Sequence, residues 1–311
     1  MATVIYLGGE PGFEATARAL AGVADVLHIA ADPAAVAEAL VGADAVLDAS
    51  MKVRITNTMV AAACKLRVIS CATTGSDHIE RDEINARGIP VRTLKEDPEV
   101  LRNITPAAEL SWALLMGCAR RLCAAVAHTR AGHWVREDFP GIMLNGRHLG
   151  LIGCGRIGGW MARYAQAFGM SVSAYDPMRP ELPAGVAEAS LAEVMAESDF
   201  ISVHVHLGDD TRGMVSREMF AVVRPGAVFI NTSRGAIADE AALLEALESG
   251  RLGAAGLDVL EGEPGIADHP LIAYAKRNNN ILITPHCGGY SPDAVKLVCA
   301  HAAAKIRTIL G

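Results

Sequence analysis

Residues 149–176 constrain this chain more than any other stretch, reading LGLIGCGRIGGWMARYAQAFGMSVSAYD. The short apolar run 149–152 reads as a strand. Gly153, Gly155 and Gly158 follow it in Gly-x-Gly-x-x-Gly spacing. Apolar residues then recur at helical intervals (Met161, Tyr164, Ala165, Phe168), and a second strand, 171–175, ends in Asp176. Each part meets a need of dinucleotide binding. Gly153 permits the tight turn off the strand, Gly155 lets a pyrophosphate approach bare backbone, and Gly158 lets the helix pack close to the sheet. The N–H groups and dipole at the helix start attract phosphates, and Arg156 adds a cation. Asp176, about 20 residues beyond Gly155, is placed to accept hydrogen bonds from the adenine ribose. Its charge repels a 2′-phosphate, so NAD is expected over NADP.

At 311 residues, 51% of them hydrophobic, the chain is long enough for two domains with sizeable cores. The net charge of −7 and the lack of any basic block argue against nucleic acid or an anionic membrane as partner. No apolar run reaches membrane-spanning length. The first strand is read from Thr3, which leaves no room for a signal peptide, so a cytoplasmic protein is expected. The seven cysteines are scattered and include no Cys-x-x-Cys pair. They read as buried cytosolic thiols rather than as disulfides or zinc ligands. His204 and His206 share one face of an expected strand, but no third ligand accompanies them and no metal is expected.

Along the chain, strands are expected at 4–7, 26–29, 45–48, 67–70 and 89–91, with helices at 13–21 and 33–40 between the first three. A long helix, 106–131, follows, capped by Thr105 and apolar on nearly every face. The irregular segment 132–147 carries Trp134, Phe139 and Ile142 and reads as an arm packed on a second copy of the chain, giving a homodimer. Strands are expected again at 200–205, 227–231, 253–258 and 281–284, with helices at 216–222 and 239–249 and a last helix at 292–310. The pattern predicts an α/β protein of two doubly wound parallel-sheet, Rossmann-like domains. Residues 1–101, completed by about 286–311, are expected to form a substrate-binding domain, and 102–285 the NAD-binding domain. The active site is expected in the cleft between them, since ligands of such sheets sit at the carboxyl ends of strands.

Three short runs follow expected strands. They are Asn231-Thr232-Ser233-Arg234-Gly235, the run from Gly256-Leu257-Asp258 to Glu263-Pro264, and Thr284-Pro285-His286-Cys287-Gly288-Gly289. With Arg87-Gly88-Ile89-Pro90-Val91 and the 224–227 turn, the chain resembles an NAD-dependent D-isomer-specific 2-hydroxyacid dehydrogenase over most of its length. The resemblance implies that an oxidoreductase interconverts a D-2-hydroxy acid and its 2-keto acid by hydride transfer with NAD(H). The chemistry asks for a hydride donor, a proton donor and a cation for the carboxylate. Nicotinamide supplies the hydride. His286 supplies or takes the proton, with Glu263 hydrogen-bonded to its other ring nitrogen to fix the tautomer. Arg234 offers a planar fork to the carboxylate.

The resemblance further implies cofactor contacts from Gly153, Gly155, Arg156, Ile157, Gly158, Asp176, His204, Thr211, Thr232, Ser233, Arg234, Asp258 and His286. It implies substrate contacts from Met51, Lys52, Thr74, Gly75, Ser76, Asn103, Arg234 and His286. Two departures stand out: His206 replaces a proline common in the family, and the 273–280 stretch is unusually long. An NAD-sensing binding or corepressor protein on the same fold is the alternative. An enzyme acting on phosphite would want a lysine near Thr74, and the nearest is Lys52.

Overall fold

The computed structural model describes residues 1–179 and 181–311. The chain divides into two compact units, Met1–Ile104 with Gly289–Gly311, and Thr105–Gly288. Each is built on one wholly parallel sheet flanked by helices.

In the first unit the strands are β1 (Ala2–Leu7), β2 (Ala24–His28), β3 (Ala45–Asp48), β4 (Val68–Cys71) and β5 (Val91–Arg92), in the order β2-β1-β3-β4-β5. Alternation along β1 builds two cores at once. Val4 and Tyr6 join one cluster and Ile5 and Leu7 the other, because successive side chains of a strand leave opposite faces. The helix Pro292–Leu310 covers the Tyr6 face with Val295, Val298, Cys299, Ala302 and Ile306.

The second unit carries β6 (His148–Ile152), β7 (Ser171–Tyr175), β8 (Val186–Glu188), β9 (Phe200–Val203), β10 (Ala227–Asn231), β11 (Leu252–Leu257) and β12 (Ile281–Ile283). Their order is β12-β11-β10-β9-β6-β7-β8. The chain runs outward from β6 in one direction and from β9 in the other, so the β6–β9 boundary is the topological switch point. Ligands of open α/β sheets bind at such a point. Phe229 and Ala227 enter one core, and Val228 and Ile230 the opposite one.

The expected continuous helix 106–131 is two helices, Pro106–Ala119 and Leu122–Arg130. Arg121 between them is left-handed, with φ 48°, and donates to Cys118 rather than one residue further back. That conformation breaks the helical ladder without glycine or proline. The first helix buries Ala108, Leu114, Leu115 and Cys118, and the second buries nothing. Strand β8 and the helix Leu191–Glu197 fall where no element was expected, although Ser190 and Glu193 form a capping box there. Strand β9 ends at Val203, so His204 and His206 lie beyond the strand rather than on it. The 273–280 stretch closes the helix Pro270–Ala275, whose buried Tyr274 donates to Asn280 Oδ1 over 3.1 Å. Among the described residues no single helix is long and apolar enough to cross a membrane.

Candidate active site

The loop after β6 is shaped by what its glycines exclude. Gly153 has φ 89°, and a Cβ there would lie 2.7 Å from the carbonyl oxygen of His204. A Cβ on Gly158 would lie 2.2 Å from the Gly153 carbonyl oxygen, so the helix approaches the turn at a distance only glycine permits. Gly155 is different: a Cβ there meets nothing within 4 Å, which leaves its backbone open to a ligand. Gly155 also N-caps the helix Arg156–Ala167 without a side-chain hydrogen bond. The first-turn N–H groups, among them that of Ile157, thus present their positive dipole to this open ground. These features fit the pyrophosphate of a dinucleotide. Burial lowers the pKa of the Arg156 guanidinium from its ordinary value.

Asp176, just past β7, is tied to the same loop. Its Oδ2 accepts from the Cys154 N–H at 2.8 Å, and its Oδ1 from Met178 N–H at 3.2 Å. Arg179 donates to the Cys154 carbonyl as well, a neighbour that the sequence pattern did not single out.

On the other side of the switch point, His204 is held by Ser202 Oγ at 2.8 Å. Burial of its ring nitrogens pushes its pKa down to about 3, so the imidazole is neutral. Thr211 closes the following loop: its hydroxyl donates to the His206 carbonyl at 2.6 Å and accepts from Gly208 N–H at 2.8 Å. Among the described residues no three side chains converge as metal ligands.

The turn after β10 is braced from within. Asn231, 2% exposed, accepts from Ser233 N–H at 3.0 Å and donates to the Arg234 carbonyl at 2.9 Å. Ser233 Oγ donates to Val203 O at 2.9 Å, and Thr232 Oγ1 meets Ser111 Oγ at 2.6 Å. Arg234 follows in an extended conformation and donates to the Ser233 carbonyl at 2.7 Å.

The turn after β12 carries His286, itself left-handed with φ 50°. Three groups around it converge on Asp258, which sits past β11 and is 1% exposed. Asp258 Oδ1 accepts from Thr284 Oγ1 at 2.5 Å and from Cys287 N–H at 2.9 Å. Its Oδ2 accepts from Gly288 N–H at 2.7 Å. The His286 ring turns Nδ1 to Glu263 Oε1 at 2.5 Å, with both side chains about one-third exposed at 32% and 31%. Nε2 is then the nitrogen left to face a reactant. Asp258 and Glu263 lie in the loop after β11 and His286 in the turn after β12, and the hydrogen bonds to Asp258 and Glu263 join the two segments.

The remaining residues of interest belong to the first unit. Met51 is left-handed at φ 55°. Asp48 Oδ1 accepts from Ser50 N–H at 2.7 Å, Ser50 Oγ at 2.9 Å and Met51 N–H at 3.3 Å. Its Oδ2 is 2.5 Å from His78 Nε2. This buried pair, overlooked in the sequence, ties the loop holding Met51 and Lys52 to the segment that carries Thr74, Gly75 and Ser76. In that segment Thr73 Oγ1 donates to Gly75 O at 2.7 Å. Asn103 is exposed two residues beyond the helix Pro98–Leu101.

Residues 112–288 match the model of the D-isomer specific 2-hydroxyacid dehydrogenase NAD binding domain. The chain is 36% identical over 260 residues to a hydroxypyruvate reductase of Thermotoga maritima, covering 83% of this chain and 82% of that one. It is also 36% identical over 264 residues to a D-3-phosphoglycerate dehydrogenase of Methanocaldococcus jannaschii, covering 83% of this chain. It spans about half of that relative's length, 48%. The solved structure of the TT0316 protein from Thermus thermophilus superposes with a TM-score of 0.88 at 33% identity, covering 99% of this chain and 96% of that one.

Proposed function

The chain belongs to the D-isomer specific 2-hydroxyacid dehydrogenase family, and we propose that Arg234, Glu263 and His286 carry its reaction. In this reading it is an oxidoreductase that interconverts a D-2-hydroxy acid and its 2-keto acid with NAD(H). The observation that carries the proposal is the 2.5 Å hydrogen bond between His286 Nδ1 and Glu263 Oε1. It commits one ring nitrogen to the carboxylate and frees Nε2 for the substrate oxygen.

Gly153, Gly155 and Gly158 hold the pyrophosphate against the helix start, and Asp176 accepts from the adenine ribose. Thr232, Ser233 and Asp258 line the nicotinamide end, and Ile157, His204 and Thr211 complete the cofactor contacts. When bound, the nicotinamide supplies or accepts the hydride. Arg234 grips the substrate carboxylate with a planar fork that a lysine cannot reproduce. His286 Nε2 gives a proton to the carbonyl oxygen in reduction and takes it back in oxidation. Substrate selection is assigned to Met51, Lys52, Thr74, Gly75, Ser76 and Asn103. The hydroxypyruvate reductase of Thermotoga maritima makes hydroxypyruvate and similar small keto acids the first to try.

The test is a panel of small 2-keto acids with NADH, followed at the nicotinamide absorbance, for the wild type and His286→Ala. Turnover is expected in the wild type and should fall about a hundredfold to ten-thousandfold in the variant, the usual worth of acid catalysis. NADH binding should be nearly unchanged, because the glycine loop carries it. Turnover of no keto acid would favour the NAD-sensing binder, and wild-type turnover by His286→Ala would remove His286 from its role.

For the cofactor, the proposal is NAD over NADP. A carboxylate beside a 2′-phosphate is a like-charge clash, so Asp176→Ser should narrow the difference by strengthening NADPH binding. Titration of both reduced cofactors checks this, and equal affinity in the wild type contradicts it.

The protein is further proposed to be a cytoplasmic homodimer with no nucleic-acid or membrane partner. The observation behind the dimer is the row of exposed apolar side chains in the second unit: Leu122, Val126, Val135 and Met143, with Trp134 90% exposed. Light scattering at micromolar concentration should give twice the chain mass, and a monomer would contradict the proposal.

A further inference from the structure

Another carboxylate–imidazole pair, Glu240 and His269, stands against the loop that carries Glu263. Glu240 opens the helix Glu240–Glu248, but the capping is done by Asp239, whose Oδ1 accepts from Ala242 N–H at 2.9 Å. The Glu240 carboxylate is therefore available for other partners. Its Oε1 accepts from the Glu261 backbone N–H at 3.0 Å, and its Oε2 lies 2.9 Å from His269 Nε2. The two side chains are 12% and 15% exposed.

The hydrogen bonds decide where the protons sit. His269 is the N-cap of the helix Pro270–Ala275, and its Nδ1 accepts from Leu271 N–H at 3.2 Å. A nitrogen that accepts carries no proton, so Nε2 carries it and donates to Glu240. Both ring nitrogens are thereby committed. Burial raises the pKa of the Glu240 carboxyl above its ordinary value. The charged groups around the pair are Glu261, which repels Glu240, Arg212, which reaches Glu261 at 3.6 Å, and the capping Asp239.

The loop packs directly against the turn that follows Arg234. A Cβ added at Gly235 would lie 2.1 Å from Glu261 N, 2.3 Å from the Leu260 carbonyl carbon and 2.8 Å from Glu240 Oε1. Gly235 directly follows Arg234, and Glu261 is two residues before Glu263. The turn that presents Arg234 and the loop that presents Glu263 thus meet backbone to backbone, with the Glu240 carboxylate at the junction.

We infer that Glu240 and His269 are a positioning pair, which holds the Glu263 loop in register so that Glu263 can orient His286. This inference rests on the reading of His286 as the proton donor. Glu240 and His269 touch no substrate in it. They act by fixing one backbone N–H two residues from the carboxylate that orients His286. A displacement of about 1 Å at such a distance from the chemistry is enough to cost on the order of a hundredfold in rate.

The experiment is a double-mutant cycle read in steady-state kinetics. Glu240→Ala, Glu240→Gln and His269→Asn are made in the wild type and in Glu263→Gln, with His286→Ala as reference. His269→Asn retains a residue able to cap the helix. Thermal unfolding shows which variants are folded. In the wild-type background, Glu240→Ala and His269→Asn are expected to lower kcat about tenfold to a hundredfold, with the KM for NADH changed less than about twofold. Glu240→Gln keeps an oxygen for the Glu261 N–H and should retain more of the rate than Glu240→Ala. In the Glu263→Gln background the same changes should do little, because groups that act through one another are not additive. Wild-type kcat in folded Glu240→Ala and His269→Asn would overturn the inference, and so would losses that multiply fully with that of Glu263→Gln. Undiminished turnover by His286→Ala would instead overturn the reading beneath it.

Discussion

The carboxylate of Asp258 is the joint on which the candidate site depends. It is buried, and a buried carboxylate is costly unless donors surround it. Thr284 Oγ1, Cys287 N–H and Gly288 N–H all point at it, and all come from the turn after β12. Between Thr284 and Cys287 sits His286 in a left-handed conformation, which strains a non-glycine residue by about 1–3 kcal/mol. The turn is kept because releasing it would strip the carboxylate of its donors. One buried charge thereby offsets the strain at His286 and fixes the direction in which the imidazole leaves the backbone.

The second sheet explains why these groups meet at all. Its strands are parallel, so every loop that follows a strand emerges at the carboxyl end of the sheet. The glycine loop follows β6, the His204 loop follows β9, the Arg234 turn follows β10, Asp258 follows β11, and the His286 turn follows β12. The cores on the two faces are built from the same strands by alternation, which makes the platform rigid. Chemistry placed on strand ends inherits that rigidity.

The fold was largely legible in the sequence, and the reasons are local. Segment 149–176 declares itself because strand period, glycine spacing and helix period change in order within one stretch. The alternation of β1 and β10 is visible in a few residues each. The helix break at Arg121 was not legible, since Ala119-Arg120-Arg121-Leu122 holds neither glycine nor proline, and the left-handed residue is selected by packing of the whole unit. For the candidate site, sequence order named Arg234, Glu263 and His286 as residue types suited to the chemistry. Beyond the Glu263–His286 hydrogen bond, it was silent on how they are held. The donors to Asp258 lie 26 to 30 residues further along the chain, and Glu240 reaches over 21 residues to Glu261. Asp48 and His78, separated by 30 residues, are likewise paired only by the fold. Such partnerships carry no periodicity, although Asp239-Glu240 ahead of an apolar helix signals a cap with a second carboxylate to spare, and His269-Pro270 signals a helix start.

The central claim is that Asp258 sets the geometry from which His286 delivers its proton. Asp258→Asn tests it most directly, because the amide is nearly isosteric but can turn only one oxygen toward three donors. The measurement is a single turnover of NADH oxidation with saturating 2-keto acid, in which product release plays no part. The account predicts that the rate in Asp258→Asn falls toward that of a chain lacking the His286 imidazole, in a protein that unfolds at a lower temperature but is still folded under the assay conditions. A wild-type rate in the folded variant would contradict it.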